Sequence, residues 1–225
     1  MVKNYKHTYK KVLQQPRDVI DGFIHSKESR KYQHPFLFGI IGMVFVLLMN
    51  TIFVDFSIEA ELAGVEAENE QLQQIAEWIQ VVTVRASTQF LPLAMFILLI
   101  PLLSLPGLYF FRHQTDNFYS NLILNSYTVG ASILAVLAAI PFWIFLDVPL
   151  TDPFMNSTLP GVLVASVGIW VYRQYFRVSD LMGWIRIISS FLTGYILFVL
   201  VKGFASGIIG YMFFAVNRIM EISGG

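Results

Sequence analysis

The sequence predicts an all-α fold: a polytopic helical membrane bundle of about five transmembrane helices, with an N-terminal interfacial helix and an external amphipathic helix. Three observations predict it. Of 225 residues, 56% are hydrophobic and only 13% charged, against about 25% charged in a soluble domain. The apolar residues gather in runs of roughly 20, which at about 1.5 Å per residue cross a hydrocarbon core of about 30 Å. The basic residues, although acids balance them to a net charge of zero, collect in the loops of one side.

Residues 1–34 form a basic leader, with Lys3, Lys6, Lys10, Lys11, Arg17, Lys27, Arg30 and Lys31 against three acids. Pro16 suits the first turn of a helix, where its missing N–H costs nothing. Val19, Ile20, Phe23 and Ile24 then share one helical face, away from Arg17, Asp18, Asp21 and Lys27. Such a helix is expected to lie along the membrane surface, where each nearby Lys or Arg is worth about 1 kcal/mol against anionic lipid. Arg17, Lys27, Arg30 and Lys31 are the expected interfacial anchors, and anionic headgroups of membrane lipids the leader's expected partners. His25 and His34, with Glu28 between them, lack the spacing and the third ligand of a metal site. No cleavable signal peptide is expected, since the first long apolar run begins near Pro35, behind a polar leader.

Residues 35–225 make the transmembrane domain. Its first span runs from Pro35 to Val54. The stretch 55–88 follows, an acidic external loop with Asp55, Glu59, Glu61, Glu66, Glu68, Glu70 and Glu77 against Arg85. Its apolar residues fall on a heptad, with Ile58, Val65, Leu72 and Ile79 at one seam position and Leu62, Asn69 and Ala76 at the other. A single Asn in such a seam fixes register and partner number in coiled coils. Ile58, Leu62, Val65, Asn69, Leu72 and Ile79 are therefore the candidate oligomerisation residues; a helix lying on the protein's own surface would show the same pattern.

The second span, Phe90 to Phe111, holds Pro101 in its middle and should kink there. The third runs from Leu122 to Leu146, with Ala131, Ala135 and Ala139 on one small-residue face, and Asn125 and Ser126, like Asn50 in the first span, able to hydrogen-bond between helices. The fourth runs from about Gly161 to Phe176. The last apolar region, Ile187 to Val216, is 30 residues long and would reach about 45 Å as one helix. It could be one tilted helix with Lys202 reaching toward an interface, or a span followed by a short second helix; one span plus an interfacial or re-entrant extension is expected, and two spans would raise the total to six. Inside it, Gly203 and Gly207 form a GxxxG, and Lys202 stands among apolar residues with no Asp or Glu in any span. A central lysine costs about 3 kcal/mol, less when it snorkels. Lys202 is thus expected to touch lipid headgroups or to line a transport path.

Orientation follows from loop charge. The leader, the 112–121 loop and the 173–186 loop hold twelve Lys and Arg, the opposite side only Arg85 and, with five spans, Arg218. The N-terminus is therefore expected in the cytoplasm.

Chemistry is mostly excluded. The chain has no cysteine, which removes thiol nucleophiles, disulfides and Cys-based metal centres. GxxxxGKS/T, HExxH and GxSxG are absent from the sequence, and no pair of acids lies in the spans. Asn156-Ser157-Thr158 matches a glycosylation sequon, a short and frequent pattern. No catalytic residue, cofactor or nucleic-acid partner is expected. The expected function is a non-enzymatic scaffold, accessory or assembly subunit, engaging a protein partner or further copies of itself through the leader or the external helix. The alternative is a small oligomeric transporter or channel using the kinked second span and Lys202.

The segment 16–36, with its P-x-x-V-I-x-x-F-I, R-K-Y and H-P-F elements, resembles the start of a family of uncharacterised bacterial multi-pass membrane proteins, itself distantly similar to Yip-type five-span proteins. Pro16, Val19, Ile20, Arg30, Tyr32 and Pro35 are the matching positions. The resemblance implies a bacterial inner membrane. Members often carry a zinc ribbon ahead of this segment; its four cysteines are absent here, so no zinc role is implied.

Overall fold

The computed structural model describes residues 2–25, 31–53, 69–87, 90–115, 117–145 and 159–224. Among these every regular element is helical. In chain order they are α1 (Val2–Gln14), α2 (Pro16–His25), α3 (Pro35–Phe53), α4 (Glu70–Ser87), α5 (Leu91–Ala94), a π turn (Met95–Leu99), α6 (Ile100–Phe110), α7 (Phe118–Phe145), α8 (Leu159–Phe176) and α9 (Leu181–Gly224). Phe118–Ala138 and Leu181–Met220 are long and apolar enough to cross a membrane; Pro35–Met49 and Met95–Phe110 are shorter apolar helices.

Local chemistry sets the helix starts. Asn117 accepts the Ser120 amide through Oδ1 at 2.9 Å, and Asp180 accepts the Gly183 amide at 3.2 Å, so α7 and α9 each begin on a side-chain cap. That cap starts α7 ahead of the apolar run at Leu122. Pro101 has no N–H to return to Ile97, and its ring crowds that carbonyl. The expected kink takes the form of the π turn immediately before it.

Helix α7 is the centre, packed by α3, α6, α8 and the leader helices. Its closest approach is to α3, where a methyl group on Gly130 would lie 3.2 Å from the Gly39 Cα. Ala131 is buried, and Gly130 is the α7 residue on which a side chain would meet α3, at Phe38 and Gly39. Helix α9 is continuous through Lys202, 44 residues rising about 66 Å. Of the forms the sequence allows it takes the single long helix, not a span with a separate extension: its glycines and Lys202 are spaced too sparsely to interrupt an otherwise helix-compatible run. The first part of α9 packs on α6 and α8, the later part on α4.

Exposed apolar side chains accompany a core that is mainly apolar but carries a row of polar groups. Leu37, Ile40, Val44, Leu48 and Ile52 recur every three or four residues on the exposed face of α3. Inside, α7 buries Ser120, Asn121, Asn125, Ser126, Thr128 and Ser132. Large contiguous apolar surface of this kind needs a non-aqueous neighbour.

The leader does not offer its apolar face to lipid. Val19 and Ile20 are fully buried against the bundle, which is worth roughly 1.5–3 kcal/mol per side chain. The Trp170 indole donates to the Leu13 carbonyl at 2.7 Å, the Tyr127 hydroxyl to the Gln33 carbonyl at 2.7 Å, and the Tyr175 hydroxyl to Asp21 at 3.0 Å. Tyr5 donates to the Phe38 carbonyl at 3.1 Å, and burial pushes its phenol up to about 12. Amphipathic spacing reports that one face is covered, and here α7 and α8 supply the cover.

Candidate functional site

Two interior features bring functional groups together. The first is a polar junction of α6, α7, α8 and α9. Asn125 donates to the Ser104 hydroxyl at 3.1 Å and to its own helix at the Asn121 carbonyl, 3.0 Å. It accepts from the Tyr172 hydroxyl at 3.0 Å. Ser104 passes its own hydrogen to the Ile100 carbonyl. Asn125 thus ties three helices, as its position in an apolar span suggests. Ser126 does not: its hydroxyl returns to Leu122 of the same helix. The Asn121 Oδ1 atom is buried without a donor, and Ser190 Oγ makes no hydrogen bond of regular geometry. Gly107 opens room here, since a methyl group on it would stand 2.9 Å from the Tyr172 hydroxyl and 3.0 Å from Asn121 Oδ1. The spacing of Asn117, Asn121 and Asn125 by four is the sequence signal that marks this face.

The second feature is a cavity of about 460 Å³ between the second span, α8 and α9. Leu91, Met95, Leu99 and Leu103 line one wall; Val164 and Ile169 of α8 and Phe191 of α9 line others. Gly161 faces it with nothing within 4 Å of where its side chain would start. Val162, Ile188, Leu192 and Tyr195 line it while remaining exposed, so it opens sideways. Among the described residues the ionisable amine on its wall is Lys202, whose ammonium sits 5.7 Å from the centre of the buried Phe198 ring. Helix α9 runs antiparallel to both the second span and α8, with Gly194 against Leu103 and Gly168 against Phe191, so Leu91, Gly161 and Lys202 share one end, and Leu103, Ile169 and Ile188 the other. Among the described lining residues, the Lys202 amine and the Tyr195 hydroxyl are the polar side-chain groups, and the rest of the wall is apolar.

The candidate oligomerisation residues are partly rearranged. Asn69 lies outside the helix and caps it: its Oδ1 accepts the Leu72 amide at 2.8 Å, and its carbonyl accepts from Gln73 at 3.0 Å. A seam with Asn69 inside a helix is therefore not formed, because the Asn side chain satisfies the free amides of α4 instead. Leu72 is exposed. Ile79 belongs to an intrachain contact, where its Cα would stand 2.7 Å from a methyl group on Gly210. Trp78 stacks on Phe213 with ring centres 5.8 Å apart. The Gly203–Gly207 pair meets nothing within 4 Å; Gly210, Gly194 and Gly168 are the glycines that other parts of this chain press against.

Of the interfacial anchors, Arg17 pairs with Asp21 at 3.5 Å, and Lys31 lies 5.9 Å from the Tyr32 ring centre. Lys27, Arg30, Ile58, Leu62, Val65, the sequon and the side chains of Asn50 and Ala139 lie outside the described residues. His7 stacks on Tyr32, and His34 packs edge-on to Phe23. Among the described residues no three His, Cys, Asp or Glu side chains come together. Comparison with protein-family models, curated proteins and solved structures gave no match. The family resemblance therefore rests on the residues of segment 16–36. Pro16, Val19, Ile20, Tyr32 and Pro35 of that segment are all buried where the leader meets the bundle.

Proposed function

We propose that this chain is a non-enzymatic integral membrane protein that holds copies of itself, or a helical partner, together in the bilayer. In this reading α3, the α5–π–α6 segment, α7, α8 and α9 give five crossings, and the N-terminus is cytoplasmic, in a bacterial inner membrane. The leader docks at the end of α8 that carries Arg173 and Arg177, which supports placing the basic segments on one side.

The observation that carries the scaffold reading is the uncovered side of α9. Only 17% of its apolar window is buried. A groove at Gly203 and Gly207, walled by Leu200, Phe204, Ile208 and Met212, lies open on it. Small residues at this spacing let helix backbones approach closely in lipid, where packing rather than water drives association. The transporter alternative has one observation on its side: the π turn supplies Met95 and Leu99 to the cavity that ends at Lys202.

The natural absence of cysteine makes the test clean. A single cysteine at Met212 (exposed) should give crosslinked dimers or a crosslinked partner in native membranes. Gly203→Leu and Gly207→Leu should abolish the product with thermal stability unchanged, because open space surrounds both positions. Crosslinking that survives both substitutions removes the groove from the reading.

A further inference from the structure

We propose that the lateral cavity is a specific site for one anionic membrane lipid, with an acyl chain in the slot and its phosphate at Lys202. The proposal rests on the membrane-embedded reading but not on the scaffold role.

Three properties of the cavity select this occupant. Its volume, about 460 Å³, lies within the range of about 300–1,000 Å³ that holds small ligands. Its lining from Leu103 and Ile188 to Leu91 and Gly161 is apolar apart from the Tyr195 side chain, which suits hydrocarbon better than a polar solute. It is open sideways between α8 and α9, past Val162, Ile188 and Leu192, so a chain enters from the bilayer without passing through water.

Charge then picks the headgroup. Lys202 stands at one end of the slot, over the Phe198 ring that forms its wall. An ammonium held at a slot's mouth attracts a lipid phosphodiester, whose two non-bridging oxygens accept from it, and favours a headgroup with no cation of its own to neutralise that charge. Lys202 lies sixteen residues beyond Arg186, about 24 Å along α9. Its ammonium therefore serves the leaflet remote from the arginine-bearing loops. Gly161, one wall residue at the same end, keeps the space beside it unfilled. A larger residue there would raise helix propensity, so the glycine is better explained by what the cavity receives than by what α8 needs.

The test is native mass spectrometry of the full chain in non-ionic detergent, titrated separately with phosphatidylglycerol and phosphatidylcholine of identical acyl chains. Wild type should retain one phosphatidylglycerol with about fivefold preference, the effect of one Lys beside an anionic headgroup. Lys202→Arg should keep the preference and Lys202→Ala should abolish it. Gly161→Leu should block retention of either lipid, whereas Gly203→Leu, on the separate groove, should leave retention intact. Circular dichroism confirms that each variant is folded. Equal retention of the two lipids by wild type overturns the proposal, as does a preference that survives Lys202→Ala. Displacement of the bound lipid by a free long-chain carboxylate at equal concentration also overturns it, since the site would then belong to a single-chain acid. Loss of crosslinking with normal lipid retention would sink only the scaffold reading, and the converse only this one.

Discussion

Tyr172 and Asn125 offer the sharpest measure of how the helices are tied. The Tyr172 hydroxyl donates to Asn125 Oδ1 at 3.0 Å, with both residues fully buried. Tyr172→Phe removes that hydroxyl and little volume. Interhelical hydrogen bonds in membrane proteins average about 0.6 kcal/mol and reach about 1.7, so about 1 kcal/mol of destabilisation is expected. Asn125→Val removes more: the bond to Tyr172 and the bond to Ser104 on α6. It also strands a buried phenol, at about 1–3 kcal/mol. The single substitution should cost about 2–3 kcal/mol.

The double variant separates the pair from its surroundings. With Asn125 gone, the Tyr172 hydroxyl no longer stabilises that contact, so Tyr172→Phe should cost little in that background. The two single effects should overshoot the double effect by about 0.6–1.7 kcal/mol. Reversible SDS-induced unfolding in mixed micelles, followed by circular dichroism, measures all four corners of the cycle. Additivity within about 0.3–0.5 kcal/mol, the scatter of independent sites, would refute the idea that Asn125 joins α7 to α8 through this bond.

Two other perturbations bear on the junction and the leader. Gly107→Ala places a methyl group 2.9 Å from the Tyr172 hydroxyl and 3.0 Å from Asn121 Oδ1; an overpacking cost of about 1–3 kcal/mol is expected in the same unfolding assay, and should fall when Tyr172→Phe is added. For the leader, the Tyr5 phenol is pushed up to about 12 from its ordinary 10.0 by burial, so the docked state binds this proton more tightly than the undocked one. Docking should stand at full strength below pH 10 and weaken as pH rises toward 12. Trp170, hydrogen-bonded to Leu13, reports this by its emission once Trp78, Trp143 and Trp184 are changed to Phe. A transition near neutral pH, or one unaltered by Tyr5→Phe, contradicts the assignment.

Helical periodicity made some of this legible and physical ambiguity hid the rest. The apolar face of α2 was plain from Val19, Ile20, Phe23 and Ile24, but lipid and protein cover such a face equally well, so spacing alone could not name α7 and α8 as its cover. Asn69 satisfied the heptad because Asn suits both a coiled-coil seam and an N-cap; which one wins depends on where the helix starts. The Gly39–Gly130 approach joins residues far apart in the chain, while the conspicuous Gly203–Gly207 spacing makes no such contact within it. Lys202 was visible as a cation within an apolar run, but its slot is assembled from three separate segments and had no local signature. The polar junction was the nearest to readable, since Asn117, Asn121 and Asn125 recur on one face of an otherwise apolar helix.

The length of α9 bears most directly on what surrounds this protein. Between Arg186 and Arg218 the helix has 31 residues, Lys202 among them, rising about 46 Å against a hydrocarbon core of about 30 Å. A tilt of about 40°, the upper end for membrane helices, brings this to about 36 Å along the membrane normal. The two ends of this run therefore reach past the hydrocarbon unless the helix tilts strongly. Helix α4 covers one side of the later half, with Trp78 on Phe213 and Ile79 against Gly210. Phe204, Ile208, Tyr211 and Met212 remain exposed on the rest of that half, around the Gly203–Gly207 groove. Water is a poor neighbour for that surface, and a second apolar helix there is what the proposed scaffold role requires and what crosslinking at Met212 tests.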